Sequence, residues 1–223
     1  MGKIVDYNLS EEISHGIYVS RLAREVARTL GHDEEMQYDM ALAGMLHDIG
    51  KLRLANYIYG EESPESTLVI EEMKYVRMHS LLSYDIVVER GYNERICKTI
   101  LYHHENIDGS GYPENLVGEQ IPEGSRIIRV CDVFAAPTTD RPYRKSFSKE
   151  EALALMIEEI NNFDMRVFLA FERVVHQCGT SFKTELPDVD DILLGNLTGV
   201  EKILRGKRIV SDAHTDDMNG TIE

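Results

Sequence analysis

The chain has 223 residues, 43% of them hydrophobic and 28% charged, with a formal charge of −15 at neutral pH. That apolar fraction suffices for a packed core, in one domain with an appendage or in two small ones, and excludes disorder as the main state. Acidic residues outnumber basic ones 39 to 24 and no Lys or Arg run occurs, so long nucleic acid and anionic membrane surfaces are excluded as partners. No segment approaches the ~18 apolar residues of a spanning helix, and MGKIVDYNLSEE lacks an apolar signal core, so a cytoplasmic location is expected.

Helical periodicity dominates. From Glu11, the positions Ile13, Ile17, Leu22, Val26 and Leu30 predict a first helix, with Ser10 as its cap and Gly31 ending it in a left-handed turn. A second helix is predicted after Asp33, running through Met36, Met40, Ala43 and Leu46 toward Gly50. A third and fourth are placed between Glu65 and about Arg90, with Pro64 in the first turn and a break near His79. A fifth covers Asn93 to Glu105. The stretch IDGSGYPENLVGEQIP, with Gly109, Gly111 and Gly118, reads as irregular, and positive φ is expected at Gly109 and Gly111.

Helix resumes near Glu123 and is ended by Pro137 and Pro142. Ser148 with Glu151 forms a capping box for a helix through Ile160, and another spans Met165 to about Gln177. The expectation is an all-α bundle over residues 1–178. A polar extension at 179–223 follows, in which DDILLGNLTG and KILRGKRIV could pair as a β-hairpin about Gly206, and which could serve as an interaction arm or a dimer contact. Cys97, Cys131 and Cys178 are odd in number and sit in apolar helical patterns, the mark of buried free thiols.

Histidine distribution carries the chemistry. Of eight, His15, His32, His47, His79, His103 and His104 lie in the first half. The His47-Asp48 pair interrupts the apolar run Ala41–Leu46, and buried polar groups need partners; imidazole nitrogen with carboxylate oxygen suits borderline divalent metals. His103-His104-Glu105 follows Ile100-Leu101-Tyr102, and two consecutive histidines on a helix diverge by about 100°, enough to reach two ions from one wall. His79 and Asp132 are likewise isolated in apolar helical segments, and Glu11 shares a helical face with His15.

The ordered set His47-Asp48-Ile49-Gly50-Lys51, His103-His104-Glu105, Asp108-Gly109-Ser110-Gly111-Tyr112-Pro113, Asp132 and Asp140-Arg141-Pro142-Tyr143-Arg144 resembles the HD-GYP family of the HD phosphohydrolase superfamily. The resemblance runs from about Glu11 to Val175. It implies a helical bundle with a GYP-bearing loop and a two- or three-metal centre hydrolysing cyclic di-GMP to pGpG or GMP in bacterial signalling. The implied ligands are His15, His47, Asp48, His79, His103, His104 and Asp132, with Asp48 bridging and Glu11 serving a third ion. Lys51 is implied beside the scissile phosphate, and Arg141 and Arg144 face the dinucleotide, with Gly111, Tyr112 and Pro113 near the site. Iron or manganese is the implied metal, with nickel and zinc compatible. The GYP loop is also linked in the family to protein partners, and a homodimer is compatible with the resemblance.

The physics of the site points the same way. Two close cations can stabilise both oxygens of an in-line phosphodiester displacement and acidify a water, and Lys51 can serve the departing oxygen. The chain departs from the pattern at Ala135, where a second acid is common, at Pro137, where Leu is usual, and at Met165, where Pro is frequent. Other readings compatible with the sequence are a non-catalytic cyclic-dinucleotide-binding or scaffold protein working through the GYP loop, an HD-type phosphohydrolase or di-iron oxygenase with another substrate, and an enzyme for a mixed cyclic GMP-AMP dinucleotide.

Overall fold

The computed structural model describes residues 9–53, 68–139 and 146–178, with side chains over 11–53, 77–139 and 146–177. Its helices are α1 (Leu9–Thr29), α2 (Glu34–Leu46), α3 (Leu68–Glu89), α4 (Glu94–Leu101), α5 (Glu123–Thr138), α6 (Lys149–Glu158) and α7 (Met165–Cys178). A short helical segment covers 50–53, and single 3-10 turns occupy Gly118–Gln120 and Ile160–Asn162. Among the described residues there is no strand, only an isolated bridge between Asp108 and Val117. The expected all-α bundle is what folds; the hairpin expected in the extension, Pro64, Asp140 to Arg144 and the Cys178 side chain lie outside the described residues.

Most boundaries follow local chemistry. Gly31 at φ +87° ends α1, with its N–H on Arg28 O and the His32 N–H on Ala27 O. Asp33 caps α2 by accepting from Met36 N, Asn93 caps α4 through Ile96 N, and Ser148 with Glu151 forms the expected capping box of α6. Pro137 sits one residue before the end of α5, where the hydroxyls of Thr138 and Thr139 bond the carbonyls of Phe134 and Ala135.

Three expectations are corrected. Ser10 lies inside α1 rather than capping it. Helix α3 runs through His79 without the expected break, and the polar residues there are buried and bonded: Ser80 Oγ donates to Arg77 O and Ser83 Oγ accepts from Gly50 N at 2.8 Å. Helix α4 stops at Leu101, four residues before Glu105, so His103 and His104 stand on the turn beyond it rather than on a helical face.

Helix α5 is the hub, packing against α1, α2, α4, α6 and α7, with α1 also laid along α2. Its Phe134 meets Tyr18 of α1 and, edge-on at 5.1 Å, Phe171 of α7. Cys97 and Cys131 are buried free thiols in this core, as expected. Asp39 of α2 is buried, yet satisfied by Arg95 at 2.7 Å and Asn93 at 3.0 Å, which ties α2 to the start of α4. The ends of α1, α2, α4 and the middle of α3 and α5 are thereby brought around one point.

Candidate metal centre

That point collects all seven residues expected as ligands. His15 comes from α1, His47 and Asp48 from the turn after α2, His79 from α3, His103 and His104 from the turn after α4, and Asp132 from α5. Their ligand atoms form two groups, Asp48–His79–His103–His104 and His15–His47–Asp132, each with atoms within 4.8 Å of one another. Asp48 connects them: Oδ1 lies 3.1 Å from His79 Nε2, while Oδ2 lies 3.2 Å from His47 Nε2 and 3.9 Å from His15 Nε2. Asp132 Oδ1 stands 3.0 Å from His15 Nε2 and 3.7 Å from His47 Nε2.

Backbone geometry makes the turn after α2 possible. Gly50 packs directly on α3, and a Cβ there would fall 2.6 Å from Ser83 N and onto the His79 carbonyl. The glycine of the HDIGK run is therefore a close-approach residue that lets His47-Asp48 face His79.

Hydrogen bonds set the imidazole tautomers. His47 Nδ1 donates to Gly44 O at 2.8 Å and His103 Nδ1 donates to Ile100 O at 2.6 Å, which turns both Nε2 lone pairs inward. The buried His47 Nε2 then has no aligned hydrogen bond. His79 Nε2, with at most one hydrogen, faces Asp48 Oδ1, His104 Nε2 at 2.9 Å and His103 Nε2 at 3.4 Å. Converging lone pairs with too few protons to share are what a divalent cation satisfies, and an all imidazole and carboxylate donor set suits one. The residues fit a metal.

Electrostatics separates the two groups. Burial and the neighbouring imidazoles hold His103 well below its usual range, and burial is the main cause that pushes His104 down to about 3, so both are neutral donors. For His47, burial opposes charge most strongly, but Asp48 and Asp132 together outweigh it and push the imidazole up to about 10. Burial also works to raise Asp48 and Asp132; the imidazoles around them, with Lys51 for Asp48, hold both well below the usual carboxylate range. A bound cation would take the place of the proton on His47.

The groups open into a cavity of about 210 Å³. Glu11, Glu12 and His15 form one wall, His104 and Tyr112 another, and His47 and His103 are fully buried behind. Lys51 Nζ lies 2.6 Å from Asp48 Oδ2 and 3.3 Å from Glu12 Oε2, so it belongs to the site rather than to solvent. Arg141 and Arg144 lie outside the described residues.

The GYP loop is docked on the histidine turn. Gly109 has the expected positive φ of +84°, but Gly111 does not; its role is close approach, with the Tyr112 N–H on His104 O at 3.2 Å. The Tyr112 ring stacks on His104 at 4.7 Å. Glu105, which sequence reasoning left without a role, is buried and accepts from Glu114 N at 2.7 Å and Leu116 N at 3.1 Å, fastening the loop. Ser110 is exposed and closes a turn on Asp108 Oδ1. Glu12 was also missed: beside Glu11 at a helix start it looked like ordinary first-turn acid.

Comparison with known proteins agrees with this geometry. The HD domain family matches residues 1–167. A cyclic di-GMP phosphodiesterase of Pseudomonas aeruginosa is 36% identical over 162 residues, 72% of this chain and 38% of that protein. A 3'3'-cGAMP-specific phosphodiesterase of Vibrio cholerae is 36% identical over 173 residues, 75% of this chain and 39% of that protein. The chain thus spans about two fifths of the length of these curated relatives. Among solved structures, an HDG"Y"P protein from Bdellovibrio bacteriovorus superposes with a TM-score of 0.57 at 19% identity, over 74% of this chain and 52% of that one, a likeness of fold alone. The family model and these relatives, with the HDIGK and DGSGYP runs, show that the chain belongs to the HD domain family, within its HD-GYP branch.

Proposed function

We propose that this chain is a metal-dependent phosphodiesterase that hydrolyses cyclic di-GMP to pGpG or GMP and so lowers a second messenger in bacterial signalling. The observation that carries the reading is the pair of converging donor groups joined through the two oxygens of Asp48, with Lys51 beside them. The P. aeruginosa relative, named for this activity, supports the substrate.

His15, His47, Asp132 and one Asp48 oxygen would hold one ion, and His79, His103, His104 and the other oxygen a second, with Glu11 available to a third. Iron or manganese is the preferred metal, nickel and zinc being compatible with the donors. When bound, such cations neutralise charge on a phosphoryl group in transfer and lower the pKa of a water. The residues themselves do the rest. Gly44 and Ile100 carbonyls fix His47 and His103 as Nε2 donors, and the Tyr112 ring fixes the plane of His104. Lys51, held by Asp48 and Glu12 at the mouth of the donor groups, would give a hydrogen bond or proton to the departing ribose oxygen. Lys51→Ala is expected to lower kcat by about 100- to 1,000-fold while leaving the metal content unchanged, read by steady-state kinetics beside elemental analysis.

No described helix is long and apolar enough to cross a membrane. A cytoplasmic location, a homodimer and a protein partner at the GYP loop or the 179–223 extension belong to this reading as proposals.

The test is a panel of cyclic di-GMP, the mixed cyclic GMP-AMP dinucleotide and ordinary nucleoside triphosphates, incubated with iron- or manganese-loaded protein. Release of pGpG or GMP is expected. Binding without turnover would favour the non-catalytic reading. Preference for the mixed dinucleotide would favour the reading suggested by the V. cholerae relative.

A further inference from the structure

The described cations around the metal centre include Lys51, Arg129 and Arg77, and of these three Lys51 is the one paired with carboxylates. Lys51 is held by Asp48 and Glu12, and Arg129 Nε donates to Asn106 Oδ1 at 3.0 Å. Arg77 has no ion pair or side-chain hydrogen bond among the described residues. Its guanidinium instead lies over the Tyr112 ring, with Cζ 5.4 Å from the centroid, and that same ring stacks on His104. In a chain with 39 acidic residues against 24 basic ones, this exposed guanidinium has no carboxylate partner among the described residues. A flat ring holds it in place without occupying its N–H donors.

A cyclic dinucleotide carries two phosphodiesters, and only one at a time can lie on the donor groups around Asp48. The second needs a place on the rim. The α1 side of the rim carries Glu11 and Glu12, with Glu12 already holding the Lys51 ammonium. On the other side Tyr112 lines the cavity, and Arg77 lies over its ring just outside that lining. Resting on the phosphodiesterase reading above, we infer that Arg77, held against Tyr112, receives the phosphate of the cyclic dinucleotide that is not being cleaved and so selects dinucleotides over simple diesters. The fork of N–H groups suits two phosphate oxygens at once. Arg77 stands on the unbroken helix α3 two residues before His79, so its backbone is fixed relative to the metal centre.

The experiment compares metal-loaded wild type, Arg77→Lys and Arg77→Ala on cyclic di-GMP and on bis(4-nitrophenyl) phosphate, a diester with one phosphate, with elemental analysis of each protein. Arg77→Ala is expected to raise KM for cyclic di-GMP about tenfold or more, with Arg77→Lys in between. Its kcat/KM on the small diester should stay within about twofold of wild type, and its metal content should be unchanged. Equal loss on both diesters, or a fall in metal content, would overturn the inference, since Arg77 would then only steady Tyr112 and His104. Unchanged kinetics on both would overturn it as well. If wild type fails to turn over cyclic di-GMP, the phosphodiesterase reading is what fails. The dissociation constant for cyclic di-GMP then decides on Arg77: weaker binding by Arg77→Ala upholds its role, and equal binding refutes it.

Discussion

Asp48→Ala is expected to reduce the metal content from two or more ions per chain to one or fewer, and to lower phosphodiester turnover by about 1,000-fold or more, which is ~4 kcal/mol of lost transition-state stabilisation. The reason is position. Asp48 is the residue whose two oxygens face different histidine groups, Oδ1 toward His79 and Oδ2 toward His47 and His15, so its loss removes a donor from both at once. It also removes one of the carboxylates that would offset repulsion between neighbouring cations. The helical fold should survive, because the donors hang from a core formed elsewhere, by residues such as Phe134 and Phe171. Elemental analysis, circular dichroism and kinetics on one preparation check all three parts. Retained metal with lost fold, or retained turnover without Asp48, would contradict the account.

Gly111→Ala is expected to damage both stability and metal binding. A Cβ at Gly111 would be driven into the backbone of His104, Glu105 and Asn106, which are backbone atoms with no side-chain freedom to yield. The loop must therefore lift, at an overpacking cost of about 1–3 kcal/mol. Lifting it breaks the bond from Tyr112 N to His104 O and unstacks the Tyr112 ring from His104. Loss of such outer support of a metal ligand reduces affinity or activity by about 10- to 100-fold. The expected signature is a lowered Tm together with weaker metal binding in the group containing His104, seen in metal titration. A variant with wild-type Tm and metal affinity would show that the glycine of the GYP motif serves something other than this docking.

The full set of seven donors came from the resemblance to the HD-GYP family; the residues alone marked His79 and Asp132 as polar positions inside apolar helical segments and His47-Asp48 as an interruption of an apolar run, where burial without a partner is expensive. Helix starts were readable where a side chain caps them, as at Asp33, Asn93 and Ser148. The sequence misled at His79, where a break was expected and α3 is continuous, and at His103-His104, where apolar spacing suggested helix through a turn. That turn is held by long-range contacts: Glu105 bonds backbone groups nine and eleven residues later, in a loop with no periodicity to announce them. Glu12 and Arg77 were invisible for a related reason. Each looks like an ordinary charged position on an amphipathic helix, and only the fold puts one beside Lys51 and the other over Tyr112.

Anomalous X-ray scattering from crystals of manganese- or iron-loaded protein tests the central claim most directly. The account predicts two peaks on either side of Asp48, about 3.5–4 Å apart, one among His15, His47 and Asp132 and the other among His79, His103 and His104, with any third beside Glu11. A single peak, or metal bound away from these residues, would contradict it.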